Sequence, residues 1–134
     1  DFGHWAAHKL EQLSEYRIRH GEAVAIGLAL DVTYSYKLGM ISESDWQRVL
    51  STFNNLGMRL YAPEIDMRND AGERHVFAGL NEFREHLGGE LTIMLLEGIG
   101  QGVEVHEINT GVMAESIAYL REYESKKTLL AAGD

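Results

Sequence analysis

Three of the chain's six histidines, His4, His8 and His20, fall within 17 residues of one another. His4 and His8 are spaced i,i+4, which on a helix puts two imidazoles side by side. Glu11 follows on the same face, and His20 opens the next apolar stretch, from which it can fold back toward the pair. Imidazole is the commonest protein ligand for transition metals, and the chain has no cysteine, so any metal here must be held by nitrogen and oxygen. Spacing alone leaves two readings open. One is a nitrogen-rich metal site at the end of a helix pair; the other is an accidental i,i+4 pair whose rings cap helices or meet solvent. His75, His86 and His106 share no motif and read as surface or packing residues.

The elements that must position these side chains follow from hydrophobic periodicity. Ala6, Leu10 and Leu13 recur at helical spacing from His4 to about Glu15, on a different face from His4, His8 and Glu11. From Gly21 to about Leu38 the chain is apolar nearly all round, with Ala23, Ala25, Gly27 and Ala29 interleaved, as suits a helix in the middle of a bundle. Glu22, in the first turn, suits the helix-start amides and is not counted as a ligand. Gly39 supplies a stop, Ser42 with Asp45 forms a capping pattern, and Trp46, Val49, Leu50 and Phe53 mark a third helix ended by Gly57. Residues 58–74 read as a loop with a short extended piece at 59–61. A stripe of Val76, Phe77, Leu80, Phe83 and Leu87 predicts a further helix. The apolar run 91–96 and the alternating 103–106, separated by three glycines, predict a hairpin. Asn109 or Thr110 can cap a last helix, with fraying expected from Lys126 onward. The fold expected is mainly α, multihelical, with one small β-hairpin, as a single domain over residues 1–134.

Twelve basic against 21 acidic side chains give a net charge of −9, which repels phosphodiester backbones and anionic lipid headgroups. Nucleic acid and membrane are therefore excluded as partners. The longest strongly apolar run, residues 23–30, is far shorter than a membrane span, so a soluble, cytoplasmic protein is expected. With no initiator Met and an informative motif at its start, the chain reads as part of something larger.

Gly3-His4, His8, Glu11 and then His20-Gly21-Glu22-Ala23-Val24 resemble two sequence blocks of 3-dehydroquinate synthases and related sugar phosphate cyclases, and the stretch from Gly89 to Gly100 resembles their C-terminal hairpin. The resemblance implies the helical metal- and substrate-binding C-terminal domain of a two-domain lyase, without its N-terminal NAD-binding domain. It implies NAD and a divalent metal, usually zinc, in the cleft between the two halves. His4 and His20 would be metal ligands, with a third, a glutamate, coming from the absent half. His8 would face the substrate and help to move protons, leaving the parent enzyme to eliminate phosphate from a seven-carbon sugar phosphate and close a carbocycle. The isolated piece would be inactive, and the family habit suggests a homodimer.

Two departures bear on the substrate. Asp1 stands where dehydroquinate synthases usually have Asn, a feature resembling cyclases that act on sedoheptulose 7-phosphate, yet those enzymes generally lose the second histidine and His8 is kept. The family's paired lysines before the hairpin are replaced around Arg84 and Glu85. Asp1 and Arg84 are accordingly the candidate substrate contacts. A related iron- or zinc-dependent alcohol dehydrogenase, which lacks Glu-Ala-Val after His-Gly, and a non-catalytic helical interaction module are the alternatives.

Overall fold

The computed structural model describes residues 3–132 of the chain, and Asp1 lies outside them. Five α-helices and one hairpin are present among the described residues, so the mainly α architecture agrees with the periodicity. Helix α1 (His4–Leu13) leads through a tight turn at Glu15 and Tyr16 into α2 (His20–Lys37). Helix α2 is central: α1, α3 (Glu43–Asn55), α5 (Thr110–Ala132) and strand β1 (Ile93–Gly98) all pack on it. Its near-continuous apolar surface, including Ile26, Ala29, Leu30 and Val32, is buried as a consequence.

Ser42 caps α3 by accepting the Asp45 N–H at 3.0 Å, and Trp46 from that helix stacks on Tyr36 while its indole N–H donates to Thr33 Oγ1 at 2.9 Å. Asn109 caps α5 through the Val112 N–H, and Met113, Ile117 and Leu120 close the core from that side. Helix α4 (Ala78–His86), preceded by a 3-10 turn at His75–Phe77, lies against α1. Strand β1 pairs antiparallel with β2 (Gln101–Val105), with an irregularity between Leu96 and Gly98, and directs Ile93 and Leu95 inward.

Three details differ from the periodicity reading. The segment 58–74 contains a 3-10 turn at Pro63–Asp66, and its extended piece at 59–61 joins no strand among the described residues. It is nevertheless anchored, because Leu60, Ala62 and Ile65 are fully buried and Asp66 joins Tyr61, Arg74 and Arg121. Helix α5 continues to Ala132 where fraying was expected from Lys126. Lys9 of α1 pairs with Glu82 of α4 at 2.8 Å, a contact that periodicity does not indicate. No helix among the described residues is long and apolar enough to cross a membrane.

Candidate metal and substrate site

The site begins with a close approach of backbones. Gly3, the residue before α1, has φ +74°, and a Cβ there would lie 2.6 Å from the Leu28 nitrogen. A Cβ on Gly27 would come within 2.3 Å of the Gly3 carbonyl oxygen. Only glycine at both positions lets the start of α1 sit on the middle of α2 in this way. On the opposite side of α1, a Cβ on Gly79 would lie 2.8 Å from the Trp5 carbonyl oxygen, so α4 also approaches closely.

Held there, α1 presents His4 and His8 with ring centroids 6.0 Å apart, and the ring of His20, the first residue of α2, lies 5.8 Å from that of His4. Two imidazoles sharing one zinc at N–metal distances of about 2.0–2.1 Å in tetrahedral geometry have centroids roughly 5–6 Å apart. Both separations meet that requirement, and what distinguishes His20 is its second nitrogen. His20 Nδ1 lies 2.9 Å from Glu11 Oε1, with the Glu11 side chain only 16% exposed and that of His20 59% exposed. A carboxylate acceptor makes Nδ1 the donor, and in the neutral ring that leaves the Nε2 lone pair for an ion. A carboxylate behind the distal ring nitrogen is the usual support of a metal-binding histidine. The donor set therefore fits a divalent ion as a partial site. Among the described residues no group of three or more metal-binding side chains is arranged to hold an ion without further help.

His4 and His8 also line a cavity of about 410 Å³ with Trp5, Gln12, Gly79, Glu82, Phe83 and Leu87, so a substrate-sized space adjoins the imidazoles. Arg84 is not part of it. That side chain lies on a different face of α4 and lines a second cavity of about 590 Å³ with Arg68, Arg74 and Asn81. The structure thus brings together His4, His8, His20 and Glu11 and leaves Arg84 apart.

Sequence reasoning passed over Asp31. It is 2% exposed in the middle of α2, where its Oδ1 accepts the Trp5 indole N–H at 2.9 Å and its Oδ2 accepts the Gly3 N–H at 3.2 Å. Burial pushes its carboxyl up to about 7, against the opposite pull of the bonds from Trp5 and Gly3. An acid inside an otherwise apolar helical run was the signal that could have found it. Glu82 and Phe83 gave no such signal, since α4 reaches α1 across more than 60 residues of intervening chain.

Comparison with known proteins agrees with this architecture. The family described as 3-dehydroquinate synthase C-terminal matches residues 1–73. A 3-dehydroquinate synthase of Chlorobaculum parvum is 35% identical over 108 residues, covering 75% of this chain and 27% of that protein. One from Acidithiobacillus ferrooxidans is 28% identical over 124 residues, covering 92% and 32% respectively. The chain thus spans between a quarter and a third of the length of these curated relatives. Among solved structures, 2-epi-5-epi-valiolone synthase (ValA) from Streptomyces hygroscopicus subsp. jinggangensis, with NAD+ and Zn2+ bound, superposes with a TM-score of 0.82 at 27% identity, covering 92% of this chain and 32% of that one. A 2-deoxy-scyllo-inosose synthase complexed with carbaglucose-6-phosphate, NAD+ and Co2+ superposes at 0.63 and 21% identity over 87% of this chain and 33% of that one, a likeness of fold alone.

Proposed function

This chain belongs to the 3-dehydroquinate synthase C-terminal family, and from that premise we propose that it is the metal- and substrate-binding half of an NAD-dependent sugar phosphate cyclase. In this reading residues 1–134 form one domain, and an N-terminal NAD-binding domain supplies the rest of the cleft, including an acidic third ligand. The observation that carries the reading is the convergence of the His4 and His20 rings at 5.8 Å with Glu11 behind His20. Two imidazoles plus one external carboxylate make a three-ligand set that leaves a coordination position open for substrate, as a catalytic zinc requires. ValA, which this chain resembles along 92% of its length, was solved with NAD+ and Zn2+ bound.

His4 and His20 would hold the divalent ion through one ring nitrogen each, with Glu11 fixing the rotation of His20. When bound, such an ion polarises a substrate hydroxyl or carbonyl oxygen. His8, exposed on the cavity wall one turn beyond His4, would take and return a proton at a substrate oxygen, since imidazole exchanges protons near neutral pH. Trp5, Phe83 and Leu87 would exclude water from one side of the substrate, and Gln12 offers an amide for its hydroxyls. Asp1 and Arg84 are the proposed substrate contacts, Arg84 serving a phosphate only where the substrate extends to the second cavity. The overall reaction would be phosphate elimination and carbocycle formation from a seven-carbon sugar phosphate, a carbon-oxygen lyase activity.

The test is phosphate release by the intact two-domain protein, supplied with NAD+ and Zn2+ and offered 3-deoxy-arabino-heptulosonate 7-phosphate and sedoheptulose 7-phosphate separately. One of the two should release phosphate, and His20→Ala should abolish that release. Release from neither would remove the cyclase assignment.

A further inference from the structure

Helix α1 begins without a side-chain cap of its own, because the capping position is Gly3. The groups on either side of His4 are instead tied to one buried carboxylate 28 and 26 residues away: Gly3 gives its backbone N–H to Asp31 Oδ2, and Trp5 gives its indole N–H to Asp31 Oδ1. The Gly3 carbonyl, for its part, rests on Gly27 and accepts the Ala7 N–H at 3.1 Å, which closes the first turn of α1. His4 is thus bracketed by two anchored neighbours. Asp31 sits on the same helix as His20, eleven residues further on, or about 16 Å at 1.5 Å per residue. One rigid rod therefore carries both the second imidazole and the clamp that sets where the first one starts.

We propose that Asp31 is a positioning residue for the metal site, fixing the start of α1 so that the His4 ring stands at the separation from His20 that one ion requires. The physical reason lies in the direction of its two bonds. Close packing of Gly3 on Gly27 sets how near α1 lies to α2, and two directional hydrogen bonds to the two oxygens of one side chain fix where its first turn sits along α2. A carboxylate buried in an apolar helix is costly, and this one is used entirely on the segment carrying His4. The inference rests on the reading of His4 and His20 as ligands, so its test separates the two.

The experiment uses the 134-residue chain, with Co2+ alone as the probe and the histidine ring resonances assigned by single His→Ala variants. Asp31→Asn keeps the side-chain shape but can accept only one of the two bonds. Trp5→Phe removes the indole donor and leaves the carboxylate in place. Thermal melts identify which variants fold, and binding is measured well below their midpoints. In the folded variants, Co2+ affinity should fall by about tenfold, the usual cost of losing a group that supports a ligand. The His4 ring resonances should move while those of His75 and His106 do not. A role confined to stability would lower the melting temperature and leave both readouts in place, and that result in the folded variants would overturn the proposal. If His4→Ala itself leaves Co2+ affinity unchanged, the ligand reading fails, and the positioning claim made for it falls too, whatever Asp31 does to the ring.

Discussion

Glu11 gives the candidate site its clearest chemical polarity. By holding His20 Nδ1 it decides which nitrogen of an exposed ring remains available, and so the rotation of a side chain that packing alone leaves loose. Glu11→Ala should weaken Co2+ binding to the chain by about tenfold without changing the fold, as titration of the Co2+ absorption bands would show; unchanged affinity would remove Glu11 from the site. His8→Ala separates a different role. Under the proposed cyclase function, it should lower phosphate release by the intact two-domain protein about 10²- to 10⁴-fold, the range for losing a general acid–base group, while Co2+ affinity stays near that of the parent. A comparable loss of metal binding would make His8 a ligand instead. His4, His8 and Glu11 were legible in the sequence because helical spacing puts them on one face, and His20 because it opens the next helix nearby. Asp31 was not, because an acid in an apolar run shows a burial problem without showing which distant donors solve it. Nor was the partner of Lys9, since Glu82 lies 73 residues away.

Helix α1 is the element on which the site depends, and glycines admit it between its neighbours. Gly27→Ala would place a methyl group 2.3 Å from the Gly3 carbonyl oxygen, a contact that can be relieved only by moving one helix off the other. A loss of roughly 1–3 kcal/mol is expected, read as a lower denaturant midpoint at unchanged slope. Wild-type stability in that variant would mean that the two backbones are not packed as described. The helices and hairpin were legible because their apolar periods are strong and their ends carry Gly, Ser or Asn at capping positions. Residues 58–74 were less so. Their anchors, Leu60, Ala62 and Ile65, follow neither a helical nor a strand period, and the turn between them is held by Asp66 bonding to Arg74 and Arg121 from other parts of the chain. At the far end, α5 runs past Lys126 to Ala132, where the fraying usual at a chain end was expected instead.

For the whole molecule, Asp31 links stability to pH. Its carboxyl, raised from 3.8 to about 7, holds a proton more tightly in the fold than in the unfolded chain. The stability this contributes is complete below about pH 4 and is lost as pH rises through about 7. Asp31→Asn, which cannot ionise, should flatten that stretch of the stability curve; parallel wild-type and variant curves between pH 4 and 7 would contradict the assignment. The same folded whole brings the first residues of two successive helices to one point, and the claim that they share an ion there is tested most directly by X-ray absorption of Co2+ bound to the chain. Two imidazole nitrogens are expected at about 2.0–2.1 Å from the ion, falling to one in either His4→Ala or His20→Ala. An ion with the same number of imidazole ligands in the wild-type chain and in both variants would contradict it.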